Sequence, residues 1–200
     1  MSLLKRIYEK FRKYIQTAEA GEIARRYFVM NAFDGAFTLL GIIMGAYVVG
    51  AVEPKLIVSA GLSASLAMGI SGAWGAYMAE RAERARSLKE LETAMLADLS
   101  ESTIYRAFKM AAFWVAFIDG LSPIAASIFG IIPFILASLQ IISTEAALLT
   151  SMVLIMVILF ILGVFTGRMS KGSIILHGSL WVAVGLITSM LILFISYLLK

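Results

Sequence analysis

This sequence predicts an all-α integral membrane protein of five transmembrane helices, and three observations carry that reading. Its 200 residues are 60% hydrophobic and only 15% charged, whereas a soluble domain is nearer 45–50% apolar and about 25% charged. The apolar residues form long runs, each able to supply the ~20 residues that a bilayer requires of a helix. The lysines and arginines fall between alternate runs, so that fifteen of seventeen share one side if the spans alternate. By the positive-inside rule the N-terminus is cytoplasmic and the C-terminus outside. The net charge of +4 therefore reflects topology and is no sign of nucleic-acid binding. Residues 1–26 are too charged for the apolar region of a signal peptide. The expected location is a multi-pass protein of the cell membrane if the source is prokaryotic.

In chain order, residues 1–26 read as a basic amphipathic helix. Leu3, Leu4, Ile7, Phe11, Tyr14 and Ile15 recur at helical spacing, and Lys5, Arg6, Lys10, Arg12 and Lys13 supply the rest. Such a helix either lies on an anionic leaflet or serves as a gating or dimerisation arm, with Gly21 as a joint. The membrane domain, 27–200, follows. Span one is expected at 27–50 and carries a carboxylate, Asp34, followed by Gly35. A carboxylate at membrane depth costs roughly 2.5 to 3.5 kcal/mol or more, which makes it a functional-site residue by default. Pro54 is suited to starting span two, 56–79. That span is dense in small residues from Gly61 to Ala76, which let helices approach closely in lipid. It is expected at the centre of the bundle or at a subunit interface.

Residues 80–106 are charged but lack Gly and Pro, so span two is expected to continue as a helix into water. Glu80, Glu83, Glu90, Asp98 and Glu101 fall within an arc of about 80° at helical spacing. They are either a solvated face paired with neighbouring Arg and Lys, or an acidic stripe that collects cations at a pore mouth. Asp98 with Glu101 suggests a capping box for the next helix. Span three, 107–139, holds Asp119-Gly120, which lies 85 positions after Asp34-Gly35, together with Pro123 and Pro133. Pro123 removes a hydrogen bond from the Asp119 carbonyl, which pairs carbonyl and carboxylate as cation ligands or else makes an ordinary kink. Spans four and five are expected at 145–166 and 173–199, with the single histidine, His177, as a packing or interfacial residue. Aligning the two Asp-Gly pairs also brings Gly45 onto Gly130, and "ISGAWGAYM" resembles "ILGVFTGRM". Spans one and two thus echo in three and four.

There is no cysteine and one histidine, so thiolate and His-rich metal sites are excluded. What remains is carboxylate, carbonyl, hydroxyl and thioether, a set that suits hard or borderline divalent cations. No nucleophile–base pair or phosphate loop is visible, so an enzyme is not expected. The alternative to transport is a membrane scaffold or partner-binding protein in which Asp34 and Asp119 are structural, held by hydroxyls such as Thr38 or Ser122.

Three stretches resemble the vacuolar iron transporter (VIT) family. These are "FDGAFTLLGIIMGAYV" in span one, "GISGAWGAYMAERAE" in span two and "GIIPFIL" in span three. The resemblance covers roughly residues 22–200. It implies a homodimeric exporter of Fe²⁺ or Mn²⁺ from the cytosol, driven by proton exchange, with metal as cargo and no permanently bound cofactor. Asp34 matches the family's path-lining aspartate. The family's second-span methionine falls at Gly72 and its Gly/Glu position at Ala76. The glutamate-rich domain between spans two and three is reduced to about 27 residues, as in the short form of the family. If the chain transports a divalent metal, its residues themselves point to Asp34 as ligand and proton carrier, Asp119 as second ligand and Met44 as a soft sulfur, with Glu80, Glu83 and Glu90 as collecting site.

Overall fold

The computed structural model describes residues 3–198, without the side chains of residues 3, 4, 6–8, 10 and 11. It is all-helical in its described residues, with α1 (Leu3–Thr17), α2 (Ala20–Val48), α3 (Pro54–Met95), α4 (Thr103–Ser138), α5 (Thr144–Met169) and α6 (Ile174–Leu198). The five helices from α2 to α6 are long and apolar enough to cross a membrane. Of the apolar face expected on the first helix, Leu3, Leu4, Ile7 and Phe11 lie outside the described side chains, as do Arg6 and Lys10.

The helix ends differ from expectation in ways the backbone explains. Gly21 lies inside α2, and the joint falls instead at Glu19, whose φ is 51°. Pro54 begins α3 as expected, and α3 continues past the apolar run to Met95. It does not reach residue 106. Leu96 turns left-handed (φ 51°), and the Ala97 N–H bonds back to the Glu92 carbonyl at 3.3 Å, which is a Schellman stop built without glycine. The same closure ends α2 at Gly50 (φ 69°), α4 at Gln140 (φ 61°) and α5 at Lys171 (φ 54°). The returning bonds there are Ala51 N–H to Ala46, Ile141 N–H to Leu136 and Gly172 N–H to Gly167, at 2.9 to 3.0 Å. Only one of the four closures has the glycine that would announce it.

The stop at Met95 removes Asp98 and Glu101 from the acidic arc on α3. Nor do they form the expected capping box. Asp98 accepts from the Ser100 N–H at 2.8 Å, which holds its carboxyl below the usual carboxylate range, and Ser102 caps α4 by accepting from the Tyr105 N–H at 3.1 Å. Both Pro123 and Pro133 sit inside α4, which runs through them.

The chain divides into two compact units. The first comprises residues 1–28 and 70–121. Its core is small: Ala18, Ala20 and Ala24 meet Ala107, Ala111 and Val115, flanked by Tyr14, Ile15, Tyr27, Phe108 and Trp114. Alanine on both sides lets the start of α2 approach the start of α4 closely. Arg84 of α3 fastens this unit. Its Nη1 donates to the Ala18 carbonyl at 3.2 Å, its Nη2 lies 3.1 Å from the Glu80 carboxylate, and its guanidinium carbon stands 5.5 Å from the Phe108 ring centre.

The second unit comprises residues 29–69 and 122–200, with larger buried side chains, among them Leu39, Leu40, Ile43, Met44, Ile131, Phe134, Ile155 and Leu159. Glycines set its helix spacings. A Cβ on Gly163 would stand 2.6 Å from the His177 carbonyl, and one on Gly130 would meet Leu39 and Ile155. The buried Ser151 hydroxyl donates to the Gly130 carbonyl. His177 closes the α5–α6 turn, its Nδ1 2.9 Å from the Ser173 carbonyl. Among the five spans α4 is the most buried in the chain, while α3 is mostly uncovered. The small-residue span, expected at the centre of the bundle or at a subunit interface, is thus largely uncovered within one chain.

Candidate functional site

Asp34 and Gly35 are adjacent on α2, so their side-chain directions differ by about 100°. Gly35 is buried against the Pro123 backbone so closely that a Cβ would lie 2.5 Å from the Pro123 carbonyl oxygen. The Ser127 hydroxyl donates to the Gly35 carbonyl at 3.0 Å. With the glycine pinned inward, Asp34 is turned outward and is exposed. It lines a shallow cavity of about 260 Å³ with Met30, Phe33, Trp181 and Val184. Phe33 meets Trp181 edge-on at 4.8 Å and stacks on Phe37 at 4.2 Å. The result is a carboxylate on the outer face of a spanning helix, walled by aromatic and apolar side chains. Among the described residues none pairs with this carboxylate, and in hydrocarbon water cannot.

Asp119 is placed differently. It is 2% exposed and is engaged by other described residues. Tyr27 of the same unit lies within electrostatic reach of both Asp119 and Glu80. Glu80 is nearly buried too, its side chain 12% exposed and paired with Arg84.

The remaining expected ligands scatter. Met44 is 2% exposed in the core of the second unit and does not share the exposed face of Asp34. Thr38, considered as a hydroxyl partner for Asp34, directs its Oγ1 to the Met68 sulfur at 3.4 Å. The three glutamates of the α3 stripe have three environments. Glu80 pairs with buried Arg84, Glu90 pairs with Arg86 at 3.0 Å, and Glu83 is exposed. Among the described residues, no three His, Asp or Glu side chains converge to hold a metal ion.

Two features escaped the sequence reading. The Glu80–Arg84 pair has an i,i+4 spacing that was legible, but its burial was not. Trp181 comes to Asp34 from α6, nearly 150 positions away, and no local signal announces that approach.

Comparison with known proteins adds to this geometry. The VIT family profile matches residues 25–102. An uncharacterized protein of Methanocaldococcus jannaschii is 33% identical over 189 residues, covering 93% of this chain and 95% of the relative. No solved structure matches the chain.

Proposed function

Because this chain belongs to the VIT family, whose members are membrane metal-ion transporters rather than enzymes, we propose that it exports a divalent cation, Fe²⁺ or Mn²⁺, from the cytosol in exchange for protons. One observation carries the reading: the Asp34 carboxylate is exposed on the outer face of a spanning helix, in a pocket of Phe33, Trp181 and Met30. A carboxylate so placed needs something other than lipid in front of it. The occupant in this reading is a second copy of the chain, with the ion path running between copies. A path at the interface also agrees with the absence of a metal-binding cluster within one chain's described residues.

The α3 surface supports the dimer. Ser59, Ser63, Ala67, Ser71, Gly75 and Ala79 recur every fourth residue and are all exposed. Ridges at that spacing allow close crossing of helices. In this arrangement Asp34 binds metal or proton in turn, since both compete for one carboxylate. Asp119 is the second acid of the path, and Glu83 and Glu90 collect cations from the cytoplasm. Met44, named above as a soft sulfur ligand, lies buried in the core of the second unit and off the exposed face of Asp34, so it has no part in this reading. The basic first helix lies on the cytoplasmic leaflet, where Tyr14 and Ile15 pack onto the protein while Lys5, Arg12 and Lys13 are exposed. Metal is cargo throughout, and no cofactor is permanently held.

The test is metal-driven proton flux in liposomes holding the purified protein, with Fe²⁺ and Mn²⁺ compared with Mg²⁺ and Ca²⁺. Flux with the first two supports the exchange. Metal uptake without proton movement removes the coupling, and no uptake of any cation leaves a membrane scaffold. Single cysteines along α3 test the interface, because this chain has none of its own. Ala67→Cys and Ala79→Cys should crosslink between copies, whereas a scan silent at every exposed position would remove α3 from the interface.

A further inference from the structure

Between α3 and α4 in the first unit lies a cavity of about 500 Å³ that the transport reading leaves unused. Its lining is strongly cationic: Arg81, Arg84, Lys89 and Lys109 face one carboxylate, Glu92. One oxygen of that carboxylate, Oε1, accepts the Leu99 N–H at 3.0 Å. Lys109 extends over the Tyr105 ring, its Nζ 5.5 Å from the centre, and Tyr105 lines the same cavity.

A second observation is independent of charge count. Arg84 is 8% exposed, and its Nε and Nη2 are buried without a hydrogen-bond partner among the described residues. Nη2 has Glu80 at 3.1 Å as an ion-pair partner, in a geometry that does not make a hydrogen bond, and Nη1 is spent on the Ala18 carbonyl. Nε has neither. These buried atoms lie behind the cavity surface, so Arg84 contributes a fixed positive charge beneath the lining while Arg81, Lys89 and Lys109 are exposed at it. The ligand best suited to one guanidinium and two ammonium groups around a cavity is a tetrahedral oxyanion that takes several donors at once.

We propose that this α3–α4 cavity binds a phosphate-bearing anion, with Arg81, Lys89 and Lys109 as the cations that close over it and the buried Arg84 charge beneath its lining. Its place follows from the sequence. Lys109 and Arg81 stand at the ends of two apolar runs, where the chain passes from lipid to water, and basic cavities between helices at that level fit the headgroups of anionic lipids. A soluble phosphate offers the same oxygens, so the two sources share one chemistry. The site does not depend on the transport reading and uses none of the acids assigned to it.

The test uses the full-length protein in detergent and the triple variant Arg81→Gln/Lys89→Gln/Lys109→Gln. These three side chains are exposed, so the variant keeps the buried Glu80–Arg84 pair. Native mass spectrometry reads retention of phosphatidylglycerol against phosphatidylcholine, and a thermal shift reads inorganic phosphate against chloride at matched ionic strength. The parent should retain phosphatidylglycerol roughly tenfold or more over phosphatidylcholine, and the variant should lose that preference. Loss of lipid preference with no phosphate response identifies a lipid headgroup. A phosphate-dependent rise in Tm confined to the parent identifies a soluble anion. If the triple variant does not fold, Lys109→Gln alone must reduce the preference measurably. Equal behaviour of parent and variant toward both probes, or no preference in the parent, overturns the proposal.

Discussion

The chain contains two Asp-Gly pairs inside spanning helices, and their acids have opposite surroundings. Asp34 is exposed beside Phe33 and Trp181, while Asp119 is 2% exposed in a unit that also holds Tyr27, Glu80 and Arg84. The glycines explain part of the difference. Gly35 is held against the Pro123 backbone, where no Cβ fits, and this fixes the outward direction of its neighbour. The echoed pair Gly45 and Gly130 diverges in the same way. Gly130 is buried against Leu39 and Ile155, and Gly45 is exposed with nothing within 4 Å of a Cβ. A shared dipeptide therefore does not imply a shared role. The residue that decides is the one the glycine packs against.

The sharpest test of this contrast is Asp34→Asn. Metal-driven proton flux in liposomes should fall to background, while the thermal transition of the purified protein is unchanged or raised because an uncompensated charge has gone. Flux at the parental rate would show that the outward carboxylate is not the carrier. Asp119→Asn should have a smaller effect, slowing flux by about tenfold, the equivalent of ~1.4 kcal/mol, without abolishing it. Equal loss in the two variants would erase the distinction drawn from their burial.

The glycines should separate on stability rather than on transport. Gly35→Ala forces a methyl group against backbone and should cost about 1 to 3 kcal/mol, seen as a lower Tm. Gly45→Ala meets no atom and removes a flexible residue from a helix, so it should be neutral or stabilising by up to ~1 kcal/mol. The same sign for both would refute the packing account. The smallest effect is expected from Glu83→Gln/Glu90→Gln, which should reduce uptake about twofold at low metal and not at saturation, because exposed charges are screened by salt. Glu80 is left out of that variant because its loss would strand the nearly buried Arg84.

Composition and hydropathy were enough to place five spans, since a helix in lipid must carry about 20 apolar residues whatever its neighbours do. The family was legible in short motifs around Asp34 and Gly75, both inside the stretch that the family profile matches, residues 25–102. The i,i+4 spacing of Glu80 and Arg84 was equally open to reading. What the sequence did not carry was direction. In water an apolar stripe separates the inside of a helix from the outside. In lipid both faces are apolar and that signal vanishes. Hence Met44 and Asp34, on one helix, could be read as neighbours along a path, whereas the packing leaves Met44 buried and Asp34, beside the pinned Gly35, exposed. The end of α3 was hidden for a related reason. Leu96 adopts the left-handed turn usually given to glycine, because the backbone bond from Ala97 to Glu92 offsets a strain that no residue name reveals.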